Sequence, residues 1–168
     1  MLREFFEANF KDALIKEDSF RDQQSFYVRN DRLFDICHAL FNDMKLDVKF
    51  LIDICALDWL GNIEEESGRF EVIYNFMSLS NKYRFFIKVK LSANKPEIDS
   101  ISSIWKTANW LEREVYDLMG VIFIGHPNLT KIVTPDELEG HPHRKDFPQY
   151  YEMPRFTHNK NEPPEVIL

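Results

Sequence analysis

Three carboxylates and three histidines stand out as groups in this chain able to move a proton or hold a metal. Glu112, Glu114 and Asp117 crowd one short stretch. General acid–base catalysis needs such carboxyls, with proton affinities tuned by their surroundings. His126, His141 and His143, with Asp146 close by, form a histidine cluster. Imidazoles and a carboxylate could ligate a metal, and Pro142 constrains the loop carrying the last two rings. Arg113, Arg144 and Lys145 are interleaved with these acids. An ion-pair network that fixes the following segment to its own domain, or to a neighbouring subunit, explains the same residues without catalysis. The sequence contains no glycine-rich phosphate loop, dinucleotide fingerprint or nucleophile in a recognised setting.

The local structure can be read outward from these groups. Asn109 followed by Glu112 has capping-box spacing, and Gly120 supplies a left-handed stop, so a helix is predicted over 109–120. Trp110, Leu111, Val115, Leu118 and Met119 fill one arc, with Glu112 and Tyr116 opposite. Arg113 and Asp117 are four apart and can pair. Glu114 projects into the apolar arc and therefore requires a cationic partner, for which Arg144 and Lys145 are the candidates.

The blocks Glu112-Arg113-Glu114 and Tyr116-Asp117-Leu118-Met119-Gly120 resemble the signature of the thirty-kilodalton subunit family of NADH:quinone oxidoreductase, respiratory complex I. Gly125-His126-Pro127, Glu139-Gly140-His141-Pro142 and Arg144-Lys145-Asp146-Phe147-Pro148 continue the match in order and spacing. The chain departs at Asn128, where the family has Asp, at Thr130-Lys131, where it has Arg-Arg, and at His143, where it has an apolar residue. The last departure argues against a family-wide metal site. The resemblance implies a non-catalytic subunit in the peripheral arm, packed against the large subunit that helps form the quinone pocket. It implies no cofactor in this chain, with FMN and iron–sulfur clusters in partner subunits carrying electrons from NADH to quinone during proton translocation. Homologues also occur in ferredoxin- or F420-linked dehydrogenases and membrane-bound hydrogenases. The alternative reading is a freestanding metal-dependent enzyme using His126, His141 and His143.

Composition sets bounds on these readings. The 168 residues suit one domain with an appendage, and 44% hydrophobic residues suffice for a core. A net charge of −7 argues against nucleic acid as the main partner. Cys37 and Cys55 form no Cys-x-x-Cys and fall short of the four thiolates a cluster normally takes; both read as buried structural thiols. The charged, amphipathic start does not read as a signal peptide, and no apolar run is long enough to span a bilayer. The chain therefore reads as cytoplasmic, with any membrane association made through partners; the resemblance implies the cytoplasmic face of the cell membrane, peripheral and held through the complex.

Taken in order, residues 2–16 read as an amphipathic helix, with Leu2, Phe5, Phe6, Phe10, Ala13 and Leu14 at helical spacing. Residues 24–28 form a strand. Leu33 to Met44 carry a helical stripe capped by Asp31, with His38 beside it. Residues 49–57, 70–77 and 83–91 are strands, and Glu64-Glu65-Glu66 mark a solvated loop. On the last strand, Tyr83, Phe85, Ile87, Val89 and Leu91 alternate with a largely basic face. Residues 94–99 read as a loop, and Ile101, Ile104 and Trp105 as a short helix. The expected fold is α+β: a mainly antiparallel sheet with flanking helices over 1–133, then an extended proline-rich segment over 134–168. Six of the eight prolines fall in that segment, and Phe147, Tyr150, Tyr151, Met153 and Phe156 suit it to lying along a partner.

Overall fold

The computed structural model describes residues 1–21, 23–62 and 68–149. The elements run α1 (Leu2–Asn9), β1 (Leu14–Phe20), β2 (Gln23–Val28), α2 (Leu33–Asn42), β3 (Phe50–Asp58), β4 (Phe70–Ser78), β5 (Tyr83–Leu91), β6 (Glu97–Asp99), α3 (Ala108–Met119) and β7 (Ile122–Ile124). Five strands form one sheet in the order β1-β2-β5-β4-β3, antiparallel except at the central β2–β5 pair. The α+β expectation holds. The glutamates at 64–66 and the aromatic residues from Tyr150 onward lie outside the described residues.

Alternation explains the core. Phe85, Ile87, Val89 and Leu91 on β5 are buried, as are Phe70, Val72, Tyr74 and Phe76 on β4. Aromatic rings bridge the layers. Phe6 of α1 stacks on Phe26 of β2 at 4.4 Å, and contacts continue through Phe85, Phe76 and Trp105 to Phe41 of α2. The basic row of β5 meets neighbours on β4. Lys88 and Lys90 lie 3.7 and 3.1 Å from the buried Glu71 carboxylate, and Arg84 donates to Asn75 at 2.9 Å.

Several local expectations are corrected. The first helix stops at Asn9, because Phe10 leaves helical geometry at φ −141. Leu14 opens edge strand β1, whose exposed, charged residues show no alternation; pairing with β2 alone makes it a strand. Asp31 does not cap α2. It pairs with Arg29, and a short 3-10 turn over Asn30–Arg32 leads into the helix. Met44 lies beyond α2 and is exposed. Ile101 to Trp105 make one turn on the Ile101 carbonyl in place of a helix. Cys55 is exposed, since Ile54 takes the inward position on β3; Cys37 is buried.

Residues 94–99 are not all loop. Glu97–Asp99 pairs in parallel with Ile122–Ile124, and α3 is the connection between them. This strand–helix–strand unit buries only Ile98 and Phe123 from its strands, too little for a periodicity signal. It brings Ser100, the early turns of α3 and His126 together.

Candidate functional site

The signature residues converge on α3 and the chain that follows it. Gly120 ends the helix in the left-handed region at φ 72, as the sequence predicts. The start differs: the helix begins at Ala108 after Thr107, and no side chain caps it. Asn109 is therefore inside the helix. Glu112 does not reach back to the cap, because its carboxylate accepts from the Ser100 hydroxyl at 2.6 Å and the Ile101 amide at 2.8 Å.

The arc of α3 is rotated from the one Trp110 suggests. Trp110 is 63% exposed beneath the Arg113 guanidinium, 5.1 Å away. The inward line is Ala108, Glu112, Val115 and Met119. Glu112 is thus the fully buried carboxylate, and Glu114 is exposed. Burial pushes the Glu112 carboxyl up to about 7, against the opposing pull of Ser100 and Ile101. Arg144 and Lys145 do not pair with Glu114.

Arg113 and Asp117 do not pair either; each holds the loop after β7. Arg113 Nε donates to the Thr130 carbonyl at 3.0 Å, and Nη2 donates to the Thr130 hydroxyl at 2.8 Å. Asp117 Oδ2 accepts from the amides of Ile132, Val133 and Thr134 at 2.9, 2.7 and 3.0 Å, and Oδ1 accepts from the Thr134 hydroxyl. Burial alone would raise this carboxyl, but these donors outweigh it and hold it at about 2. Asp117 is buried on the side of α3 that this loop covers, so no single apolar arc describes the helix.

The last carbonyls of a helix need outside donors. Residues 141–144 supply them. His141 Nδ1 donates to Asp117 O at 2.9 Å, the His143 amide to Leu118 O at 3.0 Å, and Arg144 Nε to Met119 O at 2.7 Å. Tyr116 meets the His141 ring edge-on at 6.4 Å. A Cβ at Gly120 would collide with Arg144 Nη2 and the His141 ring, which makes glycine necessary for space as well as for φ. Lys145 then turns away, donating its amide to Asp58 at 2.9 Å and its ammonium to Leu60 O at 3.1 Å. Asp146 pairs with Arg69 at 2.8 Å, and Arg69 in turn grips Asp58 through two bonds of 2.9 and 2.8 Å. Burial would raise the Asp58 carboxyl, but Arg69, with the Lys145 and Leu60 amides, brings it to about 2.

The histidines do not converge. His126 follows Gly125, which sits at φ 80 after β7, and precedes Pro127. Its Nε2 donates to Asn109 O at 3.0 Å near the start of α3, whereas His141 binds near the end. Those two carbonyls are eight residues apart, about 12 Å along a helix. His143 is exposed and uses its backbone. Among the described residues no group of three His, Cys, Asp or Glu side chains is placed to hold a metal. Phe147 and Pro148 line an open hollow with Glu139, Gly140, His141 and Asp146. Pro142 is half-buried in the capping segment. Sequence reasoning missed Asp58, Arg69 and Ser100, the partners that receive the signature. No local signal marks them, since Asp58 and Lys145 lie 87 residues apart.

Comparison with known proteins bears out the family resemblance. Residues 26–152 match the family described as the respiratory-chain NADH dehydrogenase 30 Kd subunit. The C subunit of NADH-quinone oxidoreductase from Roseiflexus castenholzii is 39% identical over 155 residues, 92% of this chain and 87% of that one. The protein of the same name from Geobacter metallireducens is 42% identical over 147 residues, 88% and 85% of the two chains. Among solved structures, a trypsin-resistant fragment of Nqo5 superposes with a TM-score of 0.65 at 31% identity, covering 76% of this chain and 98% of the fragment. A chain of the membrane-bound sulfane sulfur reductase, an archaeal respiratory membrane complex, shares the fold at TM-score 0.71 and 21% identity, covering 96% and 95%. On the strength of the match over residues 26–152 and of these relatives, the chain belongs to the 30 kDa subunit family of the respiratory-chain NADH dehydrogenase, the NADH-quinone oxidoreductase.

Proposed function

We propose that this chain is a non-catalytic subunit of the peripheral arm of a proton-translocating NADH:quinone oxidoreductase, packed against the large subunit that helps form the quinone pocket. Electrons pass from NADH through FMN and iron–sulfur clusters of other subunits to quinone, and this chain carries none of those groups. It meets the cytoplasmic face of the membrane only through the complex; among the described residues no helix is long and apolar enough to cross a bilayer. One observation carries the reading. The polar signature side chains Arg113, Asp117, His141, Arg144 and Asp146 bind the chain's own backbone or its other side chains, so they build a scaffold. Pro148 and Gln149, at the end of that scaffold, are exposed.

Deleting residues 149–168 tests it. The truncated chain is expected to keep its melting temperature and circular dichroism, while co-purification with the large subunit falls. Full retention of assembly and of NADH:quinone activity in cells carrying only the truncation would remove the partner-binding role. Stoichiometric FMN or iron in the purified full chain would remove the non-catalytic one.

A further inference from the structure

The domain holds a carboxylate that the assembly role does not use. Glu112 is fully buried in the early turns of α3. Its Oε2 accepts from the Ser100 hydroxyl at 2.6 Å, and that hydroxyl lies 2.7 Å from the Ser102 hydroxyl. Ser100 is 6% exposed and Ser102 half-buried, so the hydroxyl pair runs outward from the carboxylate. The groups facing it from packed elements are the Tyr74 hydroxyl of β4, the Cys37 thiol of α2 and the His126 imidazole after β7; Asp99 of β6 faces Tyr74. His126 Nδ1 accepts from the Asn128 amide at 3.1 Å, and Nε2 gives its proton to Asn109 O. The ring is therefore the neutral Nε2–H form, 3.9 Å from Glu112 Oε2. No lysine or arginine among the described residues pairs with Glu112.

We propose that Glu112 is a proton-binding site in the core of this domain, linked to solvent by the Ser100–Ser102 hydroxyl pair. The inference stands on this chain alone and does not rest on the assembly role. With Glu112 charged, Ser100 donates to it and Ser102 donates to Ser100. With Glu112 protonated, the carboxyl donates to Ser100, whose own proton turns to Ser102. Each hydroxyl passes one proton outward as it receives one, so the chain reverses polarity and the net change is one proton between Glu112 and water. The site favours the neutral form because a buried carboxylate with no cation is costly. Burial and the Glu112 charge both push Tyr74 and Cys37 up, so neither competes for the role near neutrality.

Carbon-13 NMR of the full chain labelled at glutamate side-chain carboxyls tests this. One carboxyl is expected to titrate with a midpoint near the value of about 7 given by its burial. That resonance should be missing in Glu112→Gln. Should that variant fail to fold, Ser100→Ala serves: loss of the hydroxyl that favours the anion moves the same midpoint upward. Ser102→Ala should leave the midpoint in place and broaden the resonance there, because proton exchange slows. Glutamates that all titrate in the ordinary carboxylate range would overturn the site, and an unbroadened Ser102→Ala resonance would overturn the pathway.

Discussion

Arg144 closes the end of α3 on Met119: its Nε donates to the Met119 carbonyl at 2.7 Å, and Nη2 reaches the Gly120 carbonyl at 3.3 Å. The guanidinium also lies 5.0 Å from the ring of Phe70, the first residue of β4. A positive charge at a helix C-terminus is favourable, and this one bonds the carbonyls directly. The signature therefore pairs a helix ending in glycine with the arginine that caps it.

Arg144→Ala should lower stability by roughly 2–3 kcal/mol, the value of charge-assisted bonds to groups left buried. Arg144→Lys should recover only part, since an ammonium lacks the planar fork that spans two carbonyls. Glu114→Gln should change stability by less than about 0.5 kcal/mol, as exposed side chains do. Thermal and urea melts of the three variants check this.

Gly120→Ala and Gly61→Ala make a matched pair. Both glycines sit at φ 72, but a Cβ at Gly61 meets nothing within 4 Å. Gly61→Ala should cost only the left-handed conformation, about 1 kcal/mol. Gly120→Ala should cost clearly more, by displacing Arg144 and His141. Equal urea midpoints for the two would show that the capping segment yields freely.

Asp117 should make the 132–134 loop acid-sensitive. Its carboxyl falls from 3.8 to about 2 on folding, so its contribution is complete above the unfolded value and lost as pH falls toward 2. The amount is about 2 kcal/mol by linkage. In Asp117→Asn the amides of Ile132, Val133 and Thr134 should lose hydrogen-exchange protection at neutral pH, which exchange mass spectrometry reads.

Glu112 should act with the opposite sign. Its carboxyl rises from 4.5 to about 7 on folding, so the native state binds a proton more tightly than the unfolded chain. Stability should fall as pH rises from about 4.5 and level off above about 7, a loss on the order of 3 kcal/mol. Glu112→Gln should abolish that slope. Urea unfolding of both proteins from pH 5 to 8 is the measurement.

Features under local control are legible in the chain. Alternation along Tyr83–Leu91, the stripe from Leu33 to Leu40 and the glycine stop at Gly120 each depend on neighbours a few residues away. The ordered blocks from Glu112 to Pro148 likewise identified the family. Which side of α3 faces inward is a matter of tertiary contacts instead. Trp110 drew the apolar arc toward itself, yet Trp110 is exposed and Glu112 buried, because hydroxyl and amide donors outside the helix receive the carboxylate. Packing likewise separates Arg113 from Asp117: though correctly spaced to pair, each bonds the loop at 130–134. Edge strand β1 and the β6–β7 pair exist through pairing partners, and their short or exposed segments carry no period of their own. The ends of Glu112's and Asp117's hydrogen bonds lie on other elements, so two carboxylates five residues apart acquire opposite proton affinities that no reading of their spacing contains.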